Sequence, residues 1–275
     1  MPVFAVMSRR ACLLAVAASV IGCGPNGEKI ELSEDELEKA QRRAIDALKQ
    51  LGCRVEEVTD ELIGTAGILL RLSPEHFSDK GLILPEIFQE LRYLRTCFLV
   101  ADSTPISAAG LGELRSLKNL LLLSVQRTAT DDTGLEQIQG IVGIKLLRLN
   151  ATRVTDSGLR HISRLPNLVM LYLSQTEITD KAFEHIVVLK DLRALQLTGT
   201  AITDRGAERL IELPKLEFVG LKETDVSDAG IAPLHRLTKL KHLNLTATKV
   251  SEGAIKTLQQ QLPECEIVKE ISIGE

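Results

Sequence analysis

Thr152-Arg153-Val154-Thr155-Asp156-Ser157-Gly158-Leu159 is one copy of a phrase, T-x-[VI]-[TS]-D-x-G-[hydrophobic], that returns with substitutions from Thr104, Thr128, Thr176, Thr200, Thr224 and Thr248. Each start lies 24 residues from the next, without an insertion. A period this strict marks stacked copies of one supersecondary unit, none of which can bury its apolar face alone. The architecture implied is a solenoid.

Between phrases the chain runs L-x-x-L-x-x-L-x-x-L-x-L-x-x-T, as in Leu159, Ile162, Leu165, Leu168, Leu171, Leu173 and Thr176. Three-residue spacing predicts a short helix and its exit, and the alternation of Leu171-Tyr172-Leu173 predicts a strand, so the unit is strand, turn, helix, turn and the class is α/β. Ser107, Asp131, Thr155, Thr179, Thr203, Ser227 and Ser251 form a column of good N-cap residues. Asp132, Asp156, Asp180, Asp204, Asp228 and Glu252 follow at the first helical position. There the helix dipole stabilises a carboxylate by about 0.3–1 kcal/mol. A calcium-binding column would need Gly-rich turns and closely spaced ligands, which this spacing lacks. His161 and His185 stand one period apart and would stack about 5 Å apart at sheet spacing, with Glu184 nearby. Gln137 and Arg209 share their column, so a solvated helical face is predicted there. No metal and no cofactor is expected.

These units resemble those of bacterial leucine-rich repeat (LRR) proteins, which read L-x-x-L-x-L-x-x-T-x-I-T-D-x-G-L. The resemblance spans about residues 78 to 268 and rests on seven phrases. It implies a right-handed leucine-rich-repeat solenoid with 24-residue repeats, a concave parallel sheet and convex helices. Thr stands where many relatives carry Asn or Cys; a hydroxyl still donates to and accepts from buried loop backbone, so this column is read as structural.

Strand side chains alternate, so on that architecture the outward ones face the concave surface. One column reads Thr96, Leu122, Leu146, Met170, Ala194, Phe218 and His242. The next reads Phe98, Ser124, Arg148, Tyr172, Gln196, Gly220 and Asn244, and a third Val100, Gln126, Asn150, Ser174, Thr198, Lys222 and Thr246. Leu122, Leu146, Met170 and Phe218 make an apolar stripe flanked by Arg148, Tyr172 and Gln196. Aromatic, Met and Arg content of this kind typifies protein-binding surfaces, and these residues are the candidate ligand-binding face.

Ahead of the repeats, residues 1–22 carry Arg9 and Arg10, then the apolar run from Ala11 to Ile21. That run is too short to span a bilayer and predicts an export signal, beginning at Met1 or Met7. Val20-Ile21-Gly22-Cys23 resembles a bacterial lipobox, which implies a lipid on Cys23, export, and membrane anchoring in the periplasm or outer envelope. Residues 23–32 are expected to be a tether. Residues 33–77 are expected to be an N-terminal helical cap, with a helix opened by the capping box Ser33-Glu34-Asp35-Glu36, closed at Gly52, and followed by strand-loop-strand. The solenoid then occupies 78–275, opening on the degenerate phrase at Ser78-Asp79-Lys80-Gly81-Leu82.

The net charge of −4 lacks the basic excess of a nucleic-acid binder. Aromatics at 3% with no Trp suit a narrow coil filled by Leu and Ile. Cys53, Cys97 and Cys265 lack C-x-x-C spacing. Cys97 and Cys265 read as small buried hydrophobes, while export leaves a Cys53–Cys97 bridge open. No nucleophile elbow, P-loop, zincin or dinucleotide phrase is present. The expected function is a non-catalytic scaffold binding a protein or a surface polymer; the alternative is a structural or assembly protein of the envelope.

Overall fold

The structure, a computed structural model, describes residues 21–23, 29–31, 33–60 and 64–269. Most of the export segment lies outside them. β1 (Ile21–Cys23) and β2 (Lys29–Glu31) pair antiparallel, Cys23 opposite Lys29, in a ribbon separate from the main sheet. Among the described residues no helix is long and apolar enough to cross a membrane.

α1 (Glu34–Gln50) opens on the capping box: Ser33 Oγ accepts the Glu36 N–H, and the Glu36 carboxylate accepts the Ser33 N–H at 2.9 Å. It buries Leu37, Ala44 and Leu48, and Gly52 at φ +84° turns the chain away. β3 (Arg54–Asp60) and β4 (Thr65–Arg71) pair antiparallel, and β4 then pairs in parallel with β5 (Cys97–Val100). The cap is therefore continuous with the repeat sheet, and its outer strand carries Glu56 and Glu57 at the edge, charges that discourage edge-to-edge association.

From β5 the sheet continues in parallel through β6 (Leu120–Ser124), β7 (Leu146–Arg148), β8 (Met170–Tyr172), β9 (Ala194–Gln196), β10 (Phe218–Gly220), β11 (His242–Asn244) and β12 (Glu266–Val268). Leu147, Leu171, Leu195, Val219 and Leu243 stand opposite one another, so the 24-residue period of the sequence is the register of the sheet. Each return carries a short helix, and such crossovers are right-handed. Strands repeat at about 4.8 Å and packed helices at about 8–10 Å. The stack therefore bends with the sheet on the inside. The core lies between the layers, where Leu165, Leu171, Leu173 and Ile178 are wholly buried.

Two columns hold each coil closed. Thr104, Thr128, Thr152, Thr176, Thr200, Thr224 and Thr248 each donate their hydroxyl to the carbonyl three residues earlier, at 2.5–2.7 Å. This closes the turn after the strand. The residue just before each Thr is left-handed, with φ of 53° to 65° at Ser103, Arg127, Ala151, Gln175, Gly199, Glu223 and Ala247. A left-handed conformation costs a residue with a Cβ about 1–2 kcal/mol, and only one of these seven positions is Gly. Ala151→Gly is accordingly expected to raise stability by about 0.5–1 kcal/mol, and Gly199→Ala to lower it by a similar amount. Urea titration of both variants reads the two signs; equal signs would show that the strain is not felt.

The N-cap column is as the sequence implied. Ser107, Asp131, Thr179, Thr203, Ser227 and Ser251 accept N–H bonds at the starts of their helices, and Thr155 accepts from Ser157 at 3.2 Å. The acidic column does more than complement the dipole. Asp156 accepts the Thr179 N–H at 2.8 Å on one oxygen and the Thr179 hydroxyl at 2.6 Å on the other. Asp132 does the same to Thr155, Asp180 to Thr203, Asp204 to Ser227 and Asp228 to Ser251. Each carboxylate thus ties its coil to the next one. At Gly158 an added Cβ would run into the Asp132 carboxylate, which explains the glycine of the phrase.

Candidate functional site

Three outward columns make the concave face, and the first is not the exposed stripe that alternation predicts. Leu122, Leu146 and Met170 are only 5%, 1% and 1% accessible and belong to a second apolar cluster with Leu69, Phe98, Val100 and Ala194. Leu121, Val169, Tyr172 and Phe218, from neighbouring positions of the face, pack against that cluster. Leu122, Leu146 and Met170 are therefore removed from the contact set. They support the face from beneath.

The register of the first coil also differs from the expectation. Phe98, not Thr96, stands opposite Leu122, and Val100 stands opposite Ser124. The 24-residue offset holds from Phe98 to Val100, and the register shifts at the start of β5, where Cys97 pairs with Leu120 and Leu121 is the extra residue on β6. The third column therefore begins at Asp102, which the sequence reading missed. Asp102 accepts from Ser124 Oγ at 2.6 Å, the Gln126 N–H at 2.9 Å and Gln126 Nε2 at 3.0 Å. Gln126 Oε1 takes Asn150 Nδ2 at 2.6 Å, and Asn150 Oδ1 takes the Ser174 N–H at 2.8 Å. This polar ladder runs along one margin of the face. Its signal in the sequence was the unbroken polarity of Gln126, Asn150, Ser174 and Thr198.

The middle column keeps the residues that reach solvent. The Arg148 guanidinium lies 5.3 Å from the centre of the Tyr172 ring, a cation–π arrangement between adjacent strands. Beyond Tyr172, Gln196 folds over Gly220, whose missing side chain leaves the space the amide occupies. Arg148, Tyr172, Gln196 and Phe218 are all half-buried, so each presents part of its surface.

The opposite margin is charged. Glu217 is buried between Arg193, which donates Nε to it, and Lys241, whose Nζ lies 2.7 Å from Oε2. The Arg193 hydrogen bond, against the cost of burial and with help from Lys241, holds the Glu217 carboxyl below the usual carboxylate range. His242 Nδ1 lies 3.2 Å from Glu266, while Lys222, on the margin of the polar ladder, pairs with Glu223 at 3.3 Å.

No family model and no curated protein matches the chain. Among solved structures it is similar to internalin C2 of Listeria monocytogenes, with a TM-score of 0.58 at 22% identity over 82% of this chain and 92% of that one. The fold is that of a leucine-rich-repeat solenoid. A leucine-rich-repeat protein of Leptospira interrogans (TM-score 0.40, 19% identity, 68% of this chain and 57% of that one) and a second Listeria internalin (0.44, 13%, 68% and 70%) are also similar to it.

Elsewhere on the solenoid, His161 has structural partners. His161 is buried, receives Arg160 Nε at 3.1 Å on Nε2, and faces Gln139 Oε1 at 3.1 Å with Nδ1. Burial, then the nearby Arg160 charge, pushes its pKa down and favours the neutral ring. Among the described residues no three His, Cys, Asp or Glu side chains are grouped to hold a metal. Cys53, Cys97 and Cys265 are free buried thiols, so the Cys53–Cys97 bridge left open by the sequence is not formed. Burial raises the Cys97 thiol to about 12 and, with smaller help from neighbouring carboxylates, Cys53 and Cys265 to about 11. Thiols held so far from ionisation are poor nucleophiles.

Proposed function

We propose that the chain is a non-catalytic scaffold, tethered by lipid on Cys23 at the bacterial cell envelope, that binds a protein through its concave face. The observation that carries this reading is the Arg148–Tyr172 pair, half-exposed, with Gln196 on the adjoining strand, over a close-packed apolar cluster. A rigid aromatic beside an arginine over a close-packed support is the composition of a binding hot spot. The lipobox-like Val20-Ile21-Gly22-Cys23 supports a lipid anchor.

The double variant Arg148→Ala, Tyr172→Ala is expected to abolish capture of the partner from envelope fractions with the circular dichroism unchanged, because neither side chain belongs to the main core between the layers, although Tyr172 packs on the smaller cluster beneath it. Undiminished capture would place the interface on another surface. Concentration-dependent self-association of the purified chain, lost in the same variant, would favour an assembly role instead.

A further inference from the structure

Charge on the concave face is almost entirely spoken for within the molecule. Lys222 is paired with Glu223, Lys241 and Arg193 share Glu217, Lys145 is engaged, and Asp102 is ringed by donors. Arg148 differs. Among the described residues its guanidinium makes no hydrogen bond or ion pair, and its one contact of this kind is with the face of Tyr172.

A guanidinium held by a ring is oriented before anything binds, so little side-chain entropy remains to be lost, while its planar fork of N–H donors stays open. That fork matches a carboxylate with two parallel bonds. A polyanion would call for a row of unpaired cations, and the neighbouring cations are already engaged. A single open fork beside the half-buried Tyr172 ring suits one carboxylate with an apolar neighbour.

We infer that Arg148, positioned by Tyr172, receives the carboxylate of an Asp or Glu side chain on a partner protein whose adjacent apolar side chain rests on Tyr172. This rests on the concave-face reading and gives it a partner chemistry.

The test uses the full chain with nitrogen-15 arginine, the Arg148 Nε–H signal being assigned by its loss in Arg148→Lys. The probes are the capped peptide Ser-Glu-Phe-Ser-Glu-Phe-Ser and its Gln-for-Glu counterpart. The Glu peptide is expected to shift the Arg148 signal saturably, at a concentration at least tenfold lower than the Gln peptide. The response should weaken as salt rises. Tyr172→Ala should weaken it several-fold and Tyr172→Phe should not, which separates a positioning ring from a merely structural residue. Equal response to both peptides, or a stronger response to a heparin hexasaccharide than to the Glu peptide, overturns the inference. Backbone amide shifts at Tyr172 and Phe218 with either peptide, but none at Arg148, remove only the carboxylate and leave the concave reading. Shifts confined to the convex helices remove both.

Discussion

Asp156→Ala is expected to cost about 3 kcal/mol and to broaden the unfolding transition, although Asp156 is only half-buried and lies outside the apolar core. The substitution deletes two charge-assisted hydrogen bonds to the next coil, from the Thr179 N–H at 2.8 Å and the Thr179 hydroxyl at 2.6 Å. Bonds to a charged acceptor contribute about 1.5–3 kcal/mol, and a half-buried N–H left without a partner adds its desolvation cost. In a stack where each coil contacts only its neighbours, stability is a sum of coil and interface terms, and weakening a central interface uncouples the two sides. A urea titration should therefore show a lower midpoint and a shallower slope. Asp156→Asn keeps one acceptor for the Thr179 N–H, and its amide can donate to a rotated hydroxyl, so it should cost less than half as much. Equal losses for Ala and Asn would mean that the bonds across the coils contribute little.

Two carboxylates of the same ladder, Asp204 and Asp228, make the fold sensitive to acid. Burial raises the pKa of Asp204, but the combined bonds from Ser227 and Gly230 outweigh it and leave the group below its ordinary 3.8. For Asp228 the backbone and side-chain bonds from Ser251 act in the same direction. A carboxylate depressed in the folded state contributes stability that is complete above its unfolded pKa and is lost as pH falls through the folded value. The melting temperature should thus be flat in this respect above about pH 5 and fall below pH 4, and Asp204→Asn should flatten that fall.

The phrase from Thr152 to Leu159 and the Leu run that follows it were enough to read the coil, its helix starts and the strand register from β6 onward, because those depend on contacts that recur in every unit. What the phrase hid was what each unit does to the next. Asp156 read as a dipole partner within its own helix, since a bond to a residue 23 positions on has no local signature. The left-handed residue before each Thr was invisible for a related reason. Its occupants are Ser, Arg, Ala, Gln, Gly, Glu and Ala, and the Thr hydroxyl that closes the turn imposes the conformation on all of them. The concave face was half legible. Alternation correctly aimed Leu146 and Met170 out of the main core, but it carries no information on how far Tyr172, Val169 and Phe218 lean over them. Arg148, Tyr172, Gln196 and Phe218 were legible as the part that remains accessible.

The second large effect concerns size matching between coils. One position of the apolar pattern, just after the glycine of the phrase, reads Leu111, Leu135, Leu159, Phe183, Ala207, Ile231 and Ile255 along the stack. The largest and the smallest occupants are neighbours in that column, and both are wholly buried. In an interior packed to crystal density, an oversized ring in one coil is accommodated where the next coil is undersized. Phe183→Ala should cost about 3–5 kcal/mol through lost transfer energy and the cavity left behind. Ala207→Phe should cost about 1–3 kcal/mol or more through overpacking. The exchanged pair, Phe183→Ala with Ala207→Phe, keeps the summed volume, and its loss should fall short of the sum of the single losses by at least about 1 kcal/mol, the signature of residues that share one space. Calorimetric melting of the four proteins in the cycle gives that coupling directly. Strict additivity would mean that each coil absorbs its own volume error, and the stack would then tolerate substitution in any one unit independently of the next.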